Sequence, residues 1–189
     1  FSANAQQCKL VINENFNQYS GGNKKYTQTM AKKDFPKSNG FKGLDGRTTV
    51  GGGVIQARYD KGKLLGKETG FTWFQPIPGG GVNEATMEYK IKFDSGFDWT
   101  KGGKIPGLVG GTSPRGCTSA QSNKDNGFSA RCMWRSGGRM VLYAYWHNQN
   151  SRCGRDTYWK KGGKDVKITR GKWYTIREHI IMNTPGKKD

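Results

Sequence analysis

The sequence predicts an all-β sandwich, and three observations carry that expectation. Several segments alternate apolar and polar residues with the period of two that a half-buried strand requires. The 29 glycines cut the chain into short runs joined by tight turns, which is the punctuation of a sheet protein. No stretch holds a helical periodicity of useful length. At 189 residues the chain suits one domain burying roughly 70% of its unfolded surface.

Taken in order, residues 9–12 (Lys-Leu-Val-Ile) read as a first short strand before a Gly- and Asn-rich loop. Residues 24–47 are basic and irregular. Asp34 and Asp45 interrupt the charges, Pro36 and Gly40 break regular structure, and the segment reads as a long surface connection. Residues 54–59 read as a strand turning at Lys61-Gly62. Residues 70–74 lead into a connection of prolines and glycines. From Glu84 onward Met87, Tyr89, Ile91 and Phe93 alternate with Glu88, Lys90 and Lys92. That is a strand with one buried and one wet face.

Residues 101–146 form the stretch around which the rest is arranged. Ser129, Arg131 and Met133 fall on one strand face, and Ala130, Cys132 and Trp134 on the other. After Gly137-Gly138, Val141, Tyr143 and Tyr145 share a face opposite Leu142, Ala144 and Trp146. Gly-Gly between two such runs favours a hairpin. The hairpin would collect a hydroxyl, a guanidinium and two phenols, with Lys104 arriving from a Gly-Pro-Gly turn upstream. Residues 147–155 read as a polar loop holding Cys153, residues 157–159 and 166–168 as short strands, and residues 173–181 as the last convincing strand. The closing N-T-P-G-K-K-D reads as a turn that ought to return a further strand, so C-terminal strands are expected beyond Asp189.

Thirty-two Lys and Arg against 14 Asp and Glu give a formal charge of +18. Such an excess points to a polyanionic partner: nucleic acid, sulfated glycan or polyuronate. Nucleic acid is disfavoured, because no aromatics interleave with Lys and Arg in the RNP manner. No apolar run approaches the ~20 residues of a bilayer-crossing helix, and no membrane partner is expected. Ala3-Asn4-Ala5 in residues 1–7 has the small-x-small form of a signal-cleavage site. Four cysteines (Cys8, Cys117, Cys132, Cys153) suit an oxidising compartment and allow three full pairings. Their spacing fits no zinc pattern, so no metal is expected. Secretion is the expectation.

The residues suggest a chemistry. In a polyuronate, eliminating the 4-O-glycosidic bond requires removing the C5 proton beside a carboxylate. That proton is poorly acidic while the carboxylate keeps its charge, and donors aimed at the carboxylate stabilise the developing enolate-like anion. Arg131 suits that clamp through its bidentate fork. A tyrosine close to Lys104 and Arg131 is expected to fall below its ordinary pKa of ~10 and so to take the C5 proton, with the same or the second phenol protonating O4 and Lys104 joining Arg131 in neutralising the carboxylate. No metal or organic cofactor is needed. Each residue also has an ordinary reading: Tyr143 and Tyr145 as half-buried strand tyrosines, Arg131 as an ion-pair partner, Ser129 as a neighbour's hydrogen-bond donor. His147 sits at a loop mouth. His179 shares a strand face with Thr175 and Arg177, and His179 and Arg177 are kept as substrate-binding candidates. Trp134, Trp146 and Trp173 read as core, and Trp99 and Trp159 as residues near loops where stacking on a sugar is possible.

Four ordered motifs carry a resemblance: G-G-K-I-P-G-L-V-G-G, S-A-R-C-M-W-R, Y-A-Y, and I-M-N-T-P-G after a W-Y strand. From about Thr86 to Gly186 the chain resembles polysaccharide lyase family 14, which includes alginate lyases of marine molluscs and glucuronate-cutting lyases of algal viruses. The resemblance implies a β-jelly roll sandwich of two antiparallel sheets with a basic concave cleft. It implies polyuronate cleavage by β-elimination, with Lys104, Arg131, Tyr143 and Tyr145 catalytic and Ser129 and Arg131 binding substrate. The organisation expected is a processed or flexible start at 1–7 and a single lyase domain over 8–189, lacking its last strands. The expected protein is a secreted monomer acting on alginate, with polymannuronate preferred. A lectin-like binder of acidic polysaccharide, or a glucuronan lyase of the same fold, is the alternative.

Overall fold

The computed structural model describes residues 9–64, 68–117, 126–184 and 186–187. Of these residues 42% are strand and 11% helix, and every strand pairing is antiparallel. The fold class expected from the sequence, an antiparallel β-jelly roll, is borne out. The chain divides into two compact units, Phe1–Gly81 and Val82–Asp189.

In the first unit, β1 (Lys24–Lys25), β3 (Thr48–Gly51) and β4 (Val54–Ala57) form a three-stranded sheet in the order β1-β3-β4, and β2 (Asn39–Lys42) pairs with β5 (Thr72–Phe74). Helix α1 (Gln28–Asp34) starts at Thr27, whose hydroxyl accepts the Met30 amide at 3.2 Å, an N-cap that satisfies one of the free first-turn donors. Helix α2 (Leu44–Arg47) follows β2 directly. Residues 24–47 are therefore ordered, which corrects their reading as a surface connection. The charges misled because the few apolar residues among them, Tyr26, Ala31 and Leu44, are the ones that build a core with Val50. Residues 9–12 are not a strand; Leu10 is 74% exposed.

In the second unit, β7 (Gly102–Gly111), β8 (Gly127–Arg135), β9 (Met140–Tyr145) and β10 (Arg155–Tyr158) make a four-stranded sheet in the order β10-β9-β8-β7. Strand β6 (Glu84–Lys92) pairs with β13 (Trp173–Ile181) over their full lengths. A small hairpin joins β11 (Lys160–Lys161) to β12 (Lys164–Asp165). Cys132, Trp134 and Met140 from the four-stranded sheet pack with Ile176 of β13, Phe93 and Ile105, and with Tyr89 and Ile91 of β6. This is the sandwich core, and the alternation in β6 places its expected face inward. The Gly-Gly connection after β8 forms as expected, with Gly137 and Gly138 at φ 72° and 76°, a region that side-chain-bearing residues avoid.

Two expectations change. The segment around Lys104 is a strand rather than a turn, because Pro106 sits on β7, the edge of its sheet, where a missing N–H is tolerated. Of the tryptophans expected inside, only Trp134 is buried; Trp146 and Trp173 are 41% and 52% exposed, while Trp99 is in the core. Cys117 and Cys153 are bonded and Cys132 is a buried free thiol. Cys8 and residues 1–7 lie outside the described residues.

Candidate functional site

The site is built from register. Strand β8 aligns with β9 so that Arg131 faces Tyr143, Ser129 faces Tyr145 and Met133 faces Val141. Strand β7 brings Lys104 opposite Met133, and β10 brings Asp156 opposite Tyr143. Directly opposed residues share a sheet face, so all of these lie on one face, while Cys132, Trp134 and Met140 on the other face belong to the core.

On that face the two phenols meet. The Tyr143 and Tyr145 hydroxyls are 3.2 Å apart, and their rings stand edge to face with centroids 5.4 Å apart. Cations surround them. Lys104 Nζ lies 5.2 Å from the Tyr143 ring centroid, Arg135 Cζ 5.6 Å and Arg131 Cζ 5.9 Å, and Arg131 is also 5.8 Å from the Tyr145 ring. These are cation–π distances. Arg135 is engaged: both its Nε, at 2.8 Å, and a terminal nitrogen bond the Asp156 carboxylate. Arg131 differs. Its Nε and one terminal nitrogen are buried and have no hydrogen-bond partner among the described residues. Buried guanidinium nitrogens left bare are costly, and a planar carboxylate is the group that matches their fork.

The electrostatics set protonation preferences. Burial lowers the pKa of Lys104, and the neighbouring Arg131 and Arg135 lower it further, against a smaller opposing pull from Asp156. Tyr143 moves the other way and is raised to about 12. Burial is the largest cause and the shared hydrogen bond with Tyr145 the next; the Gly154 amide and Arg131 pull down more weakly. The expectation of an acidified phenol at this position is thus corrected. Desolvation of a phenolate, with a second phenol beside it, outweighs the cations that sequence reasoning had counted.

Lys104, Arg131, Tyr143 and Tyr145 are therefore brought together. Ser129 lies on the same face but is 1% exposed, and its hydroxyl donates to the Pro114 carbonyl at 2.8 Å. His179 and Arg177 are not brought to this cluster. They stand on the outward face of β13, with His179 Nε2 2.8 Å from Glu84 and Arg177 3.6 Å from Glu88, while the inward face of β13 packs on the core through Ile176. Three residues escaped the sequence reading. Arg135 continues the Ser129–Arg131–Met133 alternation, and that was the signal available for it. Asp156 and Gly154 gave no local signal, because they reach the site through the pairing of β10 with β9. A Cβ on Gly154 would run into both tyrosine rings, Tyr145 at 2.7 Å and Tyr143 at 2.8 Å. Among the described residues no cluster of three or more His, Cys, Asp or Glu is placed to hold a metal ion.

Comparison with known proteins gives the chain a family. The family model of polysaccharide lyase 14 matches residues 47–189. The chain belongs to polysaccharide lyase family 14. Among solved structures, alginate lyase Aly36B is 25% identical with a TM-score of 0.75, over 94% of this chain and 71% of that one. A double-substituted variant of Aly36B in complex with an alginate trisaccharide is 27% identical with a TM-score of 0.76, over 94% and 72%. The marine alginate lyase from Aplysia kurodai is 25% identical with a TM-score of 0.69, over 90% and 72%. No curated protein matches the sequence. The family and these neighbours make the protein a polysaccharide lyase.

Proposed function

We propose that the protein is an alginate lyase that cleaves its polymer by β-elimination at the Lys104–Arg131–Tyr143–Tyr145 cluster, in a basic cleft over this sheet face. The observation that carries this reading is the bare guanidinium edge of Arg131 beside two hydrogen-bonded phenols. Membership of the lyase family supports it, as do similar structures that are alginate lyases, two of them solved with alginate oligosaccharides.

The uronate carboxylate docks on Arg131, which neutralises it and absorbs the charge that builds as the C5–H bond breaks. The C5 electron pair becomes the C4=C5 double bond, the C4–O4 bond breaks, and O4 takes a proton. Tyr143, with its pKa raised to about 12, keeps its proton at neutral pH and is suited to donate to O4. Burial and the neighbouring Arg131 and Arg135 lower the pKa of Lys104, so it is the group suited to accept the proton from C5. Both oligosaccharide complexes are of variants with a lysine replaced by alanine, which supports a lysine at the reaction centre. Tyr145 orients Tyr143 through the shared hydrogen bond, and Ser129 acts from beneath by holding the 114 loop.

Secretion as a monomer completes the reading, and the Cys117–Cys153 disulfide supports an oxidising compartment. The test is ultraviolet absorbance from the unsaturated uronate end. It should rise on incubation with alginate, and faster with mannuronate-rich than guluronate-rich blocks. Binding without any rise would make the protein a lectin-like binder, and a rise only with glucuronan would change the substrate.

A further inference from the structure

Strand β7 carries a bulge whose consequence falls on Lys104. Downstream, Gly107 faces Arg131 and Leu108 faces Ala130; upstream, Lys104 faces Met133 and Gly103 faces Trp134. Three residues of β7 thus span two of β8, one residue in excess. Had the downstream register continued, Lys104 would stand three positions beyond Arg131, opposite Trp134. Trp134 is in the core, and a one-residue slip moves a side chain to the other sheet face. The extra residue is what turns Lys104 onto the face of Tyr143. Gly107 makes the bulge sterically possible, because a Cβ there would run into the Ala130 carbonyl and the Arg131 backbone.

The bulge is held from the opposite strand pair. The Tyr89 hydroxyl on β6 donates to the Pro106 carbonyl at 3.1 Å. The Leu108 amide donates to Glu178 Oε2 on β13 at 3.0 Å. Strand β7 is the sheet edge, so these two polar groups are ones the ladder leaves to other partners. Glu178 is 8% exposed, and its second oxygen is buried with no partner among the described residues. Burial lifts its carboxyl to about 7, against the Leu108 amide that pulls it down. A half-satisfied buried carboxylate costs stability that an apolar side chain of the same size would not.

We propose that Glu178, together with Tyr89, is a positioning residue that braces the β7 bulge from across the core and thereby sets Lys104 over Tyr143. The inference rests on the reading of Lys104 as part of the reaction centre. Glu178 touches no reacting atom; it acts through Leu108, Pro106 and the chain back to Lys104.

The experiment compares Glu178→Met, which loses the acceptor, with Glu178→Gln, which keeps a carbonyl for the Leu108 amide, each alone and with Lys104→Ala. Folding of each is checked by melting temperature. Glu178→Met should lower turnover on alginate by about tenfold with KM nearly unchanged, and Glu178→Gln should restore most of it. Because the brace works through Lys104, Glu178→Met should cost nothing further in the Lys104→Ala background. Hydrogen exchange at the Leu108 amide should accelerate in Glu178→Met and stay protected in Glu178→Gln. A Leu108 amide still protected in Glu178→Met, or losses that multiply with Lys104→Ala, would overturn the brace and leave the catalytic reading standing. Wild-type turnover in Lys104→Ala would instead overturn the catalytic reading. If Glu178→Met does not fold, Tyr89→Phe carries the same test: it should lower turnover several-fold without effect in Lys104→Ala, and any multiplying loss overturns the proposal.

Discussion

Each unit of the molecule holds a pair of tyrosines with converging hydroxyls, and the two pairs are built for opposite ends. In the first unit Tyr19 and Tyr26 both donate to the Asp34 carboxylate, at 2.8 Å each. A carboxylate accepting two phenols fixes them as donors. Burial first, and Asp34 after it, push Tyr19 up to about 12 and Tyr26 higher still. That pair is closed: it ties α1 to the core, with both phenol protons held by the Asp34 carboxylate. In the second unit Tyr143 and Tyr145 bond each other, with the Gly154 amide also on Tyr143, under Lys104, Arg131 and Arg135. Here the neighbouring Asp156 carboxylate is taken up by Arg135, and the edge of Arg131 that has no partner among the described residues is the one a ligand carboxylate would suit in the proposed chemistry. Identical side chains thus form a clamp in one unit and, in the proposed chemistry, a proton-transfer pair in the other, according to which charges sit beside them.

The comparison is broken most severely at Tyr143. Tyr143→Phe removes one hydroxyl and keeps the ring, and turnover should fall by ~100-fold or more with affinity little changed. Tyr145→Phe should cost less and act partly through KM. Near-wild-type turnover in both would end the proposed chemistry. In the wild type, kcat/KM should rise with pH as Lys104 loses its proton below the ordinary lysine range, and fall as Tyr143 ionises near 12. A rate that instead declines steadily from neutral pH upward would contradict a neutral Lys104 as proton acceptor.

Arg131→Lys keeps the charge but loses the fork. Turnover should drop by about tenfold while polymer binding survives, as measured by initial rates and a binding isotherm. Loss of binding with unchanged turnover would make Arg131 a general docking charge. The smallest effect belongs to the closed pair. Tyr26→Phe should cost about 1–2 kcal/mol of stability, read from denaturant midpoints, with turnover per folded molecule unchanged. A catalytic defect there would show that the two pairs are not separate in role.

Strand alternation made much of the second unit readable. Arg131, Tyr143 and Tyr145 were assigned to one face by counting residues, and the cross-strand pairs agree. Strands β6 and β13 were readable for the same reason, since one wet and one buried face leave a period-two signature. In the first unit residues 54–59 were readable, and β4 covers Val54–Ala57, but residues 24–47 were not, because the few apolar residues that build the core there are scattered among lysines. His179 illustrates the limit on site residues: its face on β13 was correctly inferred, but nothing local says which side of the sandwich that face meets.

By itself the sequence determined which residues share a strand face and where the Gly-Gly turn falls, because these follow from a period of two and from residue type. Tertiary structure decided the rest. It sent Asp156 to Arg135 and the Gly154 backbone to the tyrosines through a strand pairing that no local pattern encodes. It raised Tyr143 instead of lowering it, because desolvation depends on what packs around a group and not on its neighbours in the chain. It also placed Lys104 on the face of Tyr143 through a one-residue bulge whose Leu108 amide bonds Glu178, 70 residues away in sequence, since a register is a property of two strands together.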